Sequence, residues 1–282
     1  MPPSTTRKPL VLLTVCVAVL AINIDTTIVN VALPTLGREL DASTRDLLWI
    51  VDGYNLSFAA LVLAMGSLSD RWGRRPALLT GLGGFALASG VAALVDSSEA
   101  LIALRFVMGT CAALIFPTTL SIIANAFPER RERAAALGLW GAAVGVGVAA
   151  GPVSGGVLLE HFTWHAVFWA MVPVAAVAMG LTLAFVPESR DPSVPALDRT
   201  GLAVSVAALG LLTYSVIEAP ERGWSSTPTV LGLIVAAVGL AVGQILAIPE
   251  LDGAASVVIG LILAVTALLL AIECKGLLLG EA

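Results

Sequence analysis

Apolar runs of near-membrane length, separated by short polar stretches, recur along the whole chain. About 20 apolar residues in a helix span the hydrocarbon core of a bilayer. The pattern therefore predicts an all-α fold, a polytopic membrane helix bundle of about nine spans. The predicted spans cover roughly 10–33, 47–68, 78–95, 100–125, 134–158, 166–187, 200–218, 229–248 and 254–273.

Composition supports a membrane protein. The chain has 282 residues, of which 58% are hydrophobic and 12% are charged, whereas soluble domains carry about 25% charged residues. No basic patch indicates a nucleic-acid partner. The three cysteines have unrelated spacing and predict neither a disulfide framework nor a zinc site.

The distribution of basic residues predicts the orientation of the first seven spans. Cytoplasmic loops of membrane proteins are enriched in Lys and Arg. If the N-terminus is cytoplasmic, the residues on that side include Arg7, Lys8, Arg71, Arg74, Arg75, Arg130, Arg131, Arg133, Arg190 and Arg199. Those on the other side are Arg38, Arg45 and Arg222. The first span is interpreted as retained, because no small-residue cleavage site follows it.

The stretch GSLSDRWGRRPALL, residues 66–79, concentrates charge between two apolar runs. This density predicts a tight cytoplasmic turn between two spanning helices. Its candidate gating residues are Gly66, Asp70, Arg71, Gly73, Arg74 and Arg75. The pattern closely resembles the signature loop between helices 2 and 3 of the major facilitator superfamily. The alternative is an ordinary positively charged loop.

Two charged residues lie inside predicted spans, where a charge is costly and needs a partner or water. Asp25 belongs to NIDTTIVNVALP, residues 23–34, in which Pro34 is predicted to end the helix. Arg105 precedes Gly109 by four positions, and its candidate partners are Asp25 and a backbone carbonyl. The alternatives are an acid solvated near the outer interface and an arginine that extends to the membrane surface.

Both segments resemble motifs of the fourteen-helix drug:proton antiporter branch of the same superfamily. The resemblance implies that Asp25 is a proton or cationic-drug site and that the R-x-x-x-G pattern of the fourth helix takes part in proton transfer. Asp25 and Arg105 are therefore the candidate proton-coupling residues. Asn30 and Asn55 are candidate residues of the substrate cavity.

The fifth predicted span carries a pattern of small residues, G-x-x-x-G-P-x-x-G-G. Its members are Gly147, Gly151, Pro152, Gly155 and Gly156. Small residues allow a neighbouring helix to pack at backbone contact. The pattern closely resembles the antiporter motif of the superfamily, which implies export. The alternative is a plain GxxxG packing face.

Three parts are predicted along the chain: a six-helix N-terminal transporter bundle at 1–187, a cytoplasmic linker with the seventh helix at 188–229, and a two-helix tail at 230–282. Glu218, at the outer end of the seventh span, is expected to be a solvated acid. The tail resembles the last two membrane helices of cation diffusion facilitators, on residues that include PELDGAASVVIGLILA at 249–264. That family implies metal ligands near 226–229, where this chain has none, so no metal site is predicted.

The leading hypothesis is an incomplete, truncated or fused, proton-coupled multidrug efflux transporter of the plasma membrane. Its expected partners are the lipid bilayer, protons, and amphipathic or cationic small molecules, with a homo-oligomer or a missing second half to complete the cavity. The alternatives are a non-transporting membrane protein or misassembled gene product, and a divalent-cation transporter. No catalytic residue set and no cofactor site is predicted, so the chain is not expected to be an enzyme.

The charge asymmetry generates a test of topology. In a cysteine-free background, cysteines introduced at Arg74 and Arg131 are expected to react with a membrane-impermeant maleimide only from the cytoplasmic side. A cysteine at Arg38 serves as the control for the opposite side. Labelling of positions 74 and 131 from opposite sides would contradict the predicted orientation.

Overall fold

The computed structural model describes residues 8–190 and 199–246, and this part of the chain is helical with short connections. The helices are α1 Lys8–Glu39, α2 Thr44–Trp72, α3 Arg74–Ala92, α4 Ser98–Ala126, α5 Arg130–His161, α6 His165–Trp169, α7 Met171–Phe185, α8 Arg199–Arg222 and α9 Thr227–Leu246.

The predicted fold class is confirmed: the described residues form an all-α bundle. Within residues 8–190 and 199–246, five helical segments are long and apolar enough to cross a membrane, counting α6 and α7 together as one segment. The count of about nine spans stays a prediction. The last predicted span, 254–273, lies outside the described residues.

Helices α1 and α4 lie at the centre of the bundle. About half of the most apolar window of each is buried, against 22% for α2 and 17% for α5. Helix α1 packs on α5, α7 and α4, while α4 packs on α2 and α3. The outer helices α2 and α5 therefore each bury one side and leave apolar residues such as Leu63 and Val153 exposed.

Two features of the helices differ from the sequence prediction. Helix α1 does not end at Pro34 but continues to Glu39, because proline removes only one backbone donor and Leu36 beyond it is fully buried. The sixth predicted span is divided into α6 and α7 at Ala170. Pro173 lies in the first turn of α7, where a proline ring opposes the backbone carbonyl four residues earlier.

Local side-chain bonds explain where α2 and α4 begin. Ser43 accepts a hydrogen bond from the Asp46 backbone N–H, and Asp46 in turn accepts one from the Ser43 backbone, which forms a capping box. Ser97 caps α4 in the same way by accepting from the Ala100 N–H. These caps satisfy backbone donors that a helix start leaves unpaired.

Helices α8 and α9 pack on each other, and α8 also packs on α2. A buried glutamate contributes to the contact between α8 and α2. Glu218 pairs with Arg45 of α2 at 2.5 Å and with Arg222 of its own helix at 3.1 Å. The expectation of a solvated acid at Glu218 is wrong, because its side chain is only 4% exposed. Two arginines offset the cost of removing this carboxylate from water.

This ion-pair cluster is expected to stabilise the packing of α8 on α2. Glu218→Gln is expected to lower the free energy of unfolding by about 1–2 kcal/mol, since both arginines are partly exposed and screened by solvent. Thermal denaturation in detergent measures the effect. Glu160→Gln, an exposed acid with no ion pair in the part of the chain that the structure describes, is the matched control. Equal melting temperatures for the two variants would contradict the assignment.

Candidate functional site

A fully buried ion pair lies at the centre of the bundle, between α1 and α4. The Arg105 Nη1 atom is 2.6 Å from Asp25 Oδ2, and the two side chains are 1% and 0% exposed. The Arg105 Nε atom also donates to the backbone carbonyl of Ile50 on α2, at 2.8 Å. Burial excludes the alternatives of a solvated Asp25 and of an Arg105 that extends to the surface.

Tyr54 and Gly109 shape the surroundings of the pair. The Arg105 guanidinium lies over the Tyr54 ring, 4.3 Å from its centre, and the Tyr54 hydroxyl donates to the Ile22 carbonyl. A Cβ at Gly109 would collide with the Tyr54 carbonyl of α2. The glycine one turn after Arg105 therefore allows α2 and α4 to approach closely, and this approach places the guanidinium against the α2 backbone.

The two oxygens of Asp25 have different surroundings. Oδ2 accepts from Arg105, whereas Oδ1 is buried and accepts no hydrogen bond from the described residues. A buried carboxylate oxygen without a donor is costly, and a proton on that oxygen removes the charge. The arrangement therefore suits a carboxyl group that exchanges a proton and changes its bond to Arg105.

A cleft of about 170 Å³ opens beside this pair, between α1, α2 and α4. Its lining is mainly apolar and aromatic, with a few amide and hydroxyl groups. The lining residues are Ile22, Asn23, Thr26, Tyr54, Asn55, Phe58 and Phe116. Tyr54 thus belongs both to the cleft and to the surroundings of Arg105, so the two features share a wall.

Of the two predicted cavity asparagines, the cleft includes Asn55 but not Asn30. Asn30 lies one turn beyond Thr26 and donates to the Thr26 backbone carbonyl. Asp52, a half-buried acid on α2 three residues before Asn55, is a polar residue near the cleft that the sequence did not single out. In the sequence, Asn23, Thr26 and Asn30 are three and four residues apart, and this helical spacing could have predicted a polar face on α1.

The charged turn after α2 is one residue long. Gly73 alone separates α2 from α3, and its φ of 119° lies in the region that only glycine adopts without strain. Asp70 pairs with Arg74 at 2.8 Å. Arg75 donates to the Leu183 carbonyl at the end of α7, and the Arg74 backbone N–H donates to the Ser189 carbonyl.

Arg71 and Gly66 are the other two predicted gating residues of the charged stretch 66–79. Arg71 lies in the last turn of α2. Gly66 faces Pro117 of α4, where an added Cβ would be 3.2 Å from the proline ring. The turn at Gly73 is therefore hydrogen-bonded to the end of α7 and the segment after it. Gly66, two turns earlier, allows α2 to pack closely on α4.

The small residues of α5 fall on two faces of the helix. Gly147, Gly151 and Gly155 pack on α1, and a Cβ at Gly151 would be 2.9 Å from the Ile28 backbone nitrogen. Pro152 is exposed, and a Cβ added at Gly156 would meet no atom of the surrounding described residues within 4 Å. Three of the five motif residues therefore bring α5 to backbone contact with the helix that carries Asp25.

Comparison with known sequences decides the family. The sequence profile of the Major Facilitator Superfamily matches residues 15–278. The chain belongs to the Major Facilitator Superfamily. It is therefore a member of a family of integral membrane transporters, not of an enzyme family.

Several relatives of this superfamily member are efflux or resistance proteins by name. The chain is 41% identical over 228 residues to the multidrug efflux pump LfrA of Mycolicibacterium smegmatis, covering 79% of this chain and 45% of that protein. It is 38% identical to the methylenomycin A resistance protein of Streptomyces coelicolor, over 76% of this chain and 45% of the relative. The chain spans less than half the length of these curated relatives.

Solved structures support the same fold. A peptide transporter, POT in its E310Q form with sulfate, matches 82% of this chain and 51% of its own length with a TM-score of 0.61 at 17% identity. The human organic anion transporter MFSD10 matches 87% of this chain and 72% of its own length with a TM-score of 0.55 at 21% identity. These similarities concern the fold alone.

The superfamily match includes the tail from about residue 230, because it extends to residue 278. The resemblance of this tail to cation diffusion facilitators therefore has no support. Within the described residues no group of three or more His, Cys, Asp or Glu side chains could hold a metal ion.

The two faces of α5 generate a matched pair of substitutions. Gly151→Ala is expected to destabilise the superfamily bundle by about 1–3 kcal/mol, because the added methyl overpacks the contact with α1. Gly156→Ala adds the same atoms to an open face and is expected to be neutral or slightly stabilising. Thermal denaturation in detergent compares the two. A larger loss for Gly156→Ala would contradict the packing.

Proposed function

We propose that this chain forms the proton-coupling part and one cavity wall of a multidrug efflux transporter in the plasma membrane. The observation that carries the proposal is the buried ion pair between Asp25 and Arg105. A charge pair of this kind inside apolar helices is rare in membrane proteins and indicates a functional site. The names of LfrA and the resistance proteins support efflux as the activity.

Protonation of Asp25 is the proposed coupling step. A proton on the carboxylate removes the charge that attracts Arg105 and leaves the guanidinium with the Ile50 carbonyl and the Tyr54 ring. The relative positions of α1 and α4 then change, because the ion pair between them is weakened. Release of the proton restores the pair, so proton flux and helix movement are linked.

The cleft is the proposed binding site for amphipathic, often cationic, compounds. Its aromatic side chains provide apolar surface and attract cations through their ring faces. No lysine or arginine is among the described residues that line it, and the acid Asp52 lies about one turn before Asn55 of the lining on α2. Because Tyr54 contacts both the cleft and Arg105, a bound compound would lie beside the proton site.

The gating turn and the α5 glycines have supporting roles in this proposal. The turn at Gly73 lies on the cytoplasmic side, as does the N-terminus, and its contacts with α7 hold one state of the bundle. Gly147, Gly151 and Gly155 keep α5 against α1, next to Asp25. The exporter character follows from the resemblance of this glycine pattern to the antiporter motif.

A complete transport cavity needs a wall opposite α1, α2 and α4, because transporters of this type bind substrate between two repeats. We propose that a second copy of the chain or a second half provides it. A chain that inserts in the membrane but transports nothing, alone or in assembly, would favour the non-transporting alternative.

Replacement of the acid tests the coupling. In cells that express the chain, Asp25→Asn is expected to abolish efflux of an amphipathic cationic dye that depends on the proton gradient, a loss of at least about tenfold, because proton transfer by a positioned group is removed. Efflux is followed by dye fluorescence with and without a protonophore, at several external pH values.

Glu160→Gln is the matched control, since it also converts an acid to an amide but at an exposed position of α5. Membrane abundance of both variants is measured on the same cells. Efflux by Asp25→Asn with an unchanged pH dependence would exclude Asp25 as the proton site.

A further inference from the structure

A row of three aromatic side chains connects α2, α4 and α5. The Phe58 and Phe116 rings meet edge to face, with centroids 5.6 Å apart and planes at 89°. The Phe116 and Trp140 rings meet at 5.1 Å and 68°. Phe58 and Phe116 both line the cleft, whereas Trp140 contacts Phe116 from α5.

Trp140 is itself held in place by a polar contact. Its indole N–H donates to the hydroxyl of Thr119 on α4, at 3.1 Å. Thr119 lies one turn after Phe116 on the same helix and is fully buried. The indole is therefore attached to α4 at two points, through the ring of Phe116 and through the hydroxyl of Thr119, although it belongs to α5.

We propose that Trp140 is a positioning residue that fixes the Phe116 ring in the cleft and thereby selects aromatic cations over aliphatic ones. The proposal rests on the proposed function of the cleft and specifies its ligand class. Edge-to-face contacts restrict a ring to one orientation. Phe116, held between Phe58 and Trp140, has less freedom than a phenylalanine with one aromatic neighbour, so its face or edge is presented to a ligand at little entropic cost.

The chemistry of the cleft explains the preference. A flat aromatic cation gains ring contacts with Phe58 and Phe116 in addition to the attraction between its charge and the ring faces. An aliphatic ammonium ion of similar size gains only the attraction between its charge and the ring faces. The orientation of Phe116 therefore matters more for the aromatic ligand than for the aliphatic one.

Equilibrium binding to the full chain in lipid nanodiscs tests the proposal. The probes are methyl viologen, an aromatic dication, and tetrapropylammonium, an aliphatic cation, each measured by calorimetry. Trp140→Leu is expected to raise the Kd of methyl viologen about two- to tenfold, the range that loss of one aromatic contact produces, and to change that of tetrapropylammonium less than about twofold.

Two further variants separate positioning from a general structural effect. Trp140→Phe keeps an aromatic neighbour for Phe116 and is expected to restore the Kd of methyl viologen to within about twofold of the original chain. Thr119→Val removes the hydroxyl that accepts from the indole and donates to the Phe116 carbonyl. It is expected to weaken methyl viologen binding in the same direction as Trp140→Leu but by less, because the ring contact between Trp140 and Phe116 remains. Both remain informative if Trp140→Leu does not fold.

Fluorescence provides a second readout. Methyl viologen in the cleft would lie one ring away from Trp140, with Phe116 between them, and a viologen quenches an excited indole by electron transfer at such short range. Part of the quenching in the original chain is therefore expected to be absent in Trp140→Phe. Equal weakening of both cations by Trp140→Leu, no weakening of either, or no binding of methyl viologen by the original chain would overturn the proposal. Binding is measured without a proton gradient, so a failure of proton-coupled efflux alone would count against the proposed function and not against this inference.

Discussion

The structure depends on the neutralisation of two opposite charges inside an apolar helix bundle. Asp25 and Arg105 are both almost fully buried, and each offsets part of the cost of burying the other's charge. Their pairing places α1 and α4 at the centre and brings α2 to them through the Ile50 carbonyl. The cleft then lies beside this centre and shares Tyr54 with it.

Close helix packing is the condition for this arrangement. Gly109 allows α4 to approach the α2 backbone, and Gly151 allows α5 to approach the α1 backbone. In a membrane, apolar side chains gain little from leaving lipid, so backbone contact through small residues contributes much of the attraction between helices. The patterns R-x-x-x-G and G-x-x-x-G are therefore parts of one packing scheme around the ion pair.

Aromatic residues extend this centre towards α5. Phe58, Phe116 and Trp140 form a continuous row from the cleft to the helix that packs on α1. The cleft, the ion pair and the α1–α5 contact are thus separated by only a few side chains. In the proposed function, this proximity is the route by which binding and protonation would influence each other.

The sequence by itself determined the helical class, the approximate ranges of the helices and the residues that need special surroundings. Helix formation and membrane insertion depend on local composition, so these features can be inferred from apolar runs and from charges within them. Only the tertiary structure decided which faces meet: that Glu218 is buried between Arg45 and Arg222, that α1 passes through Pro34, that Asn55 lines the cleft while Asn30 does not, and that Trp140 reaches Phe116. The physical reason is that contacts between distant helices depend on their rotation and approach, which are set by all their neighbours together and not by the residues of one segment.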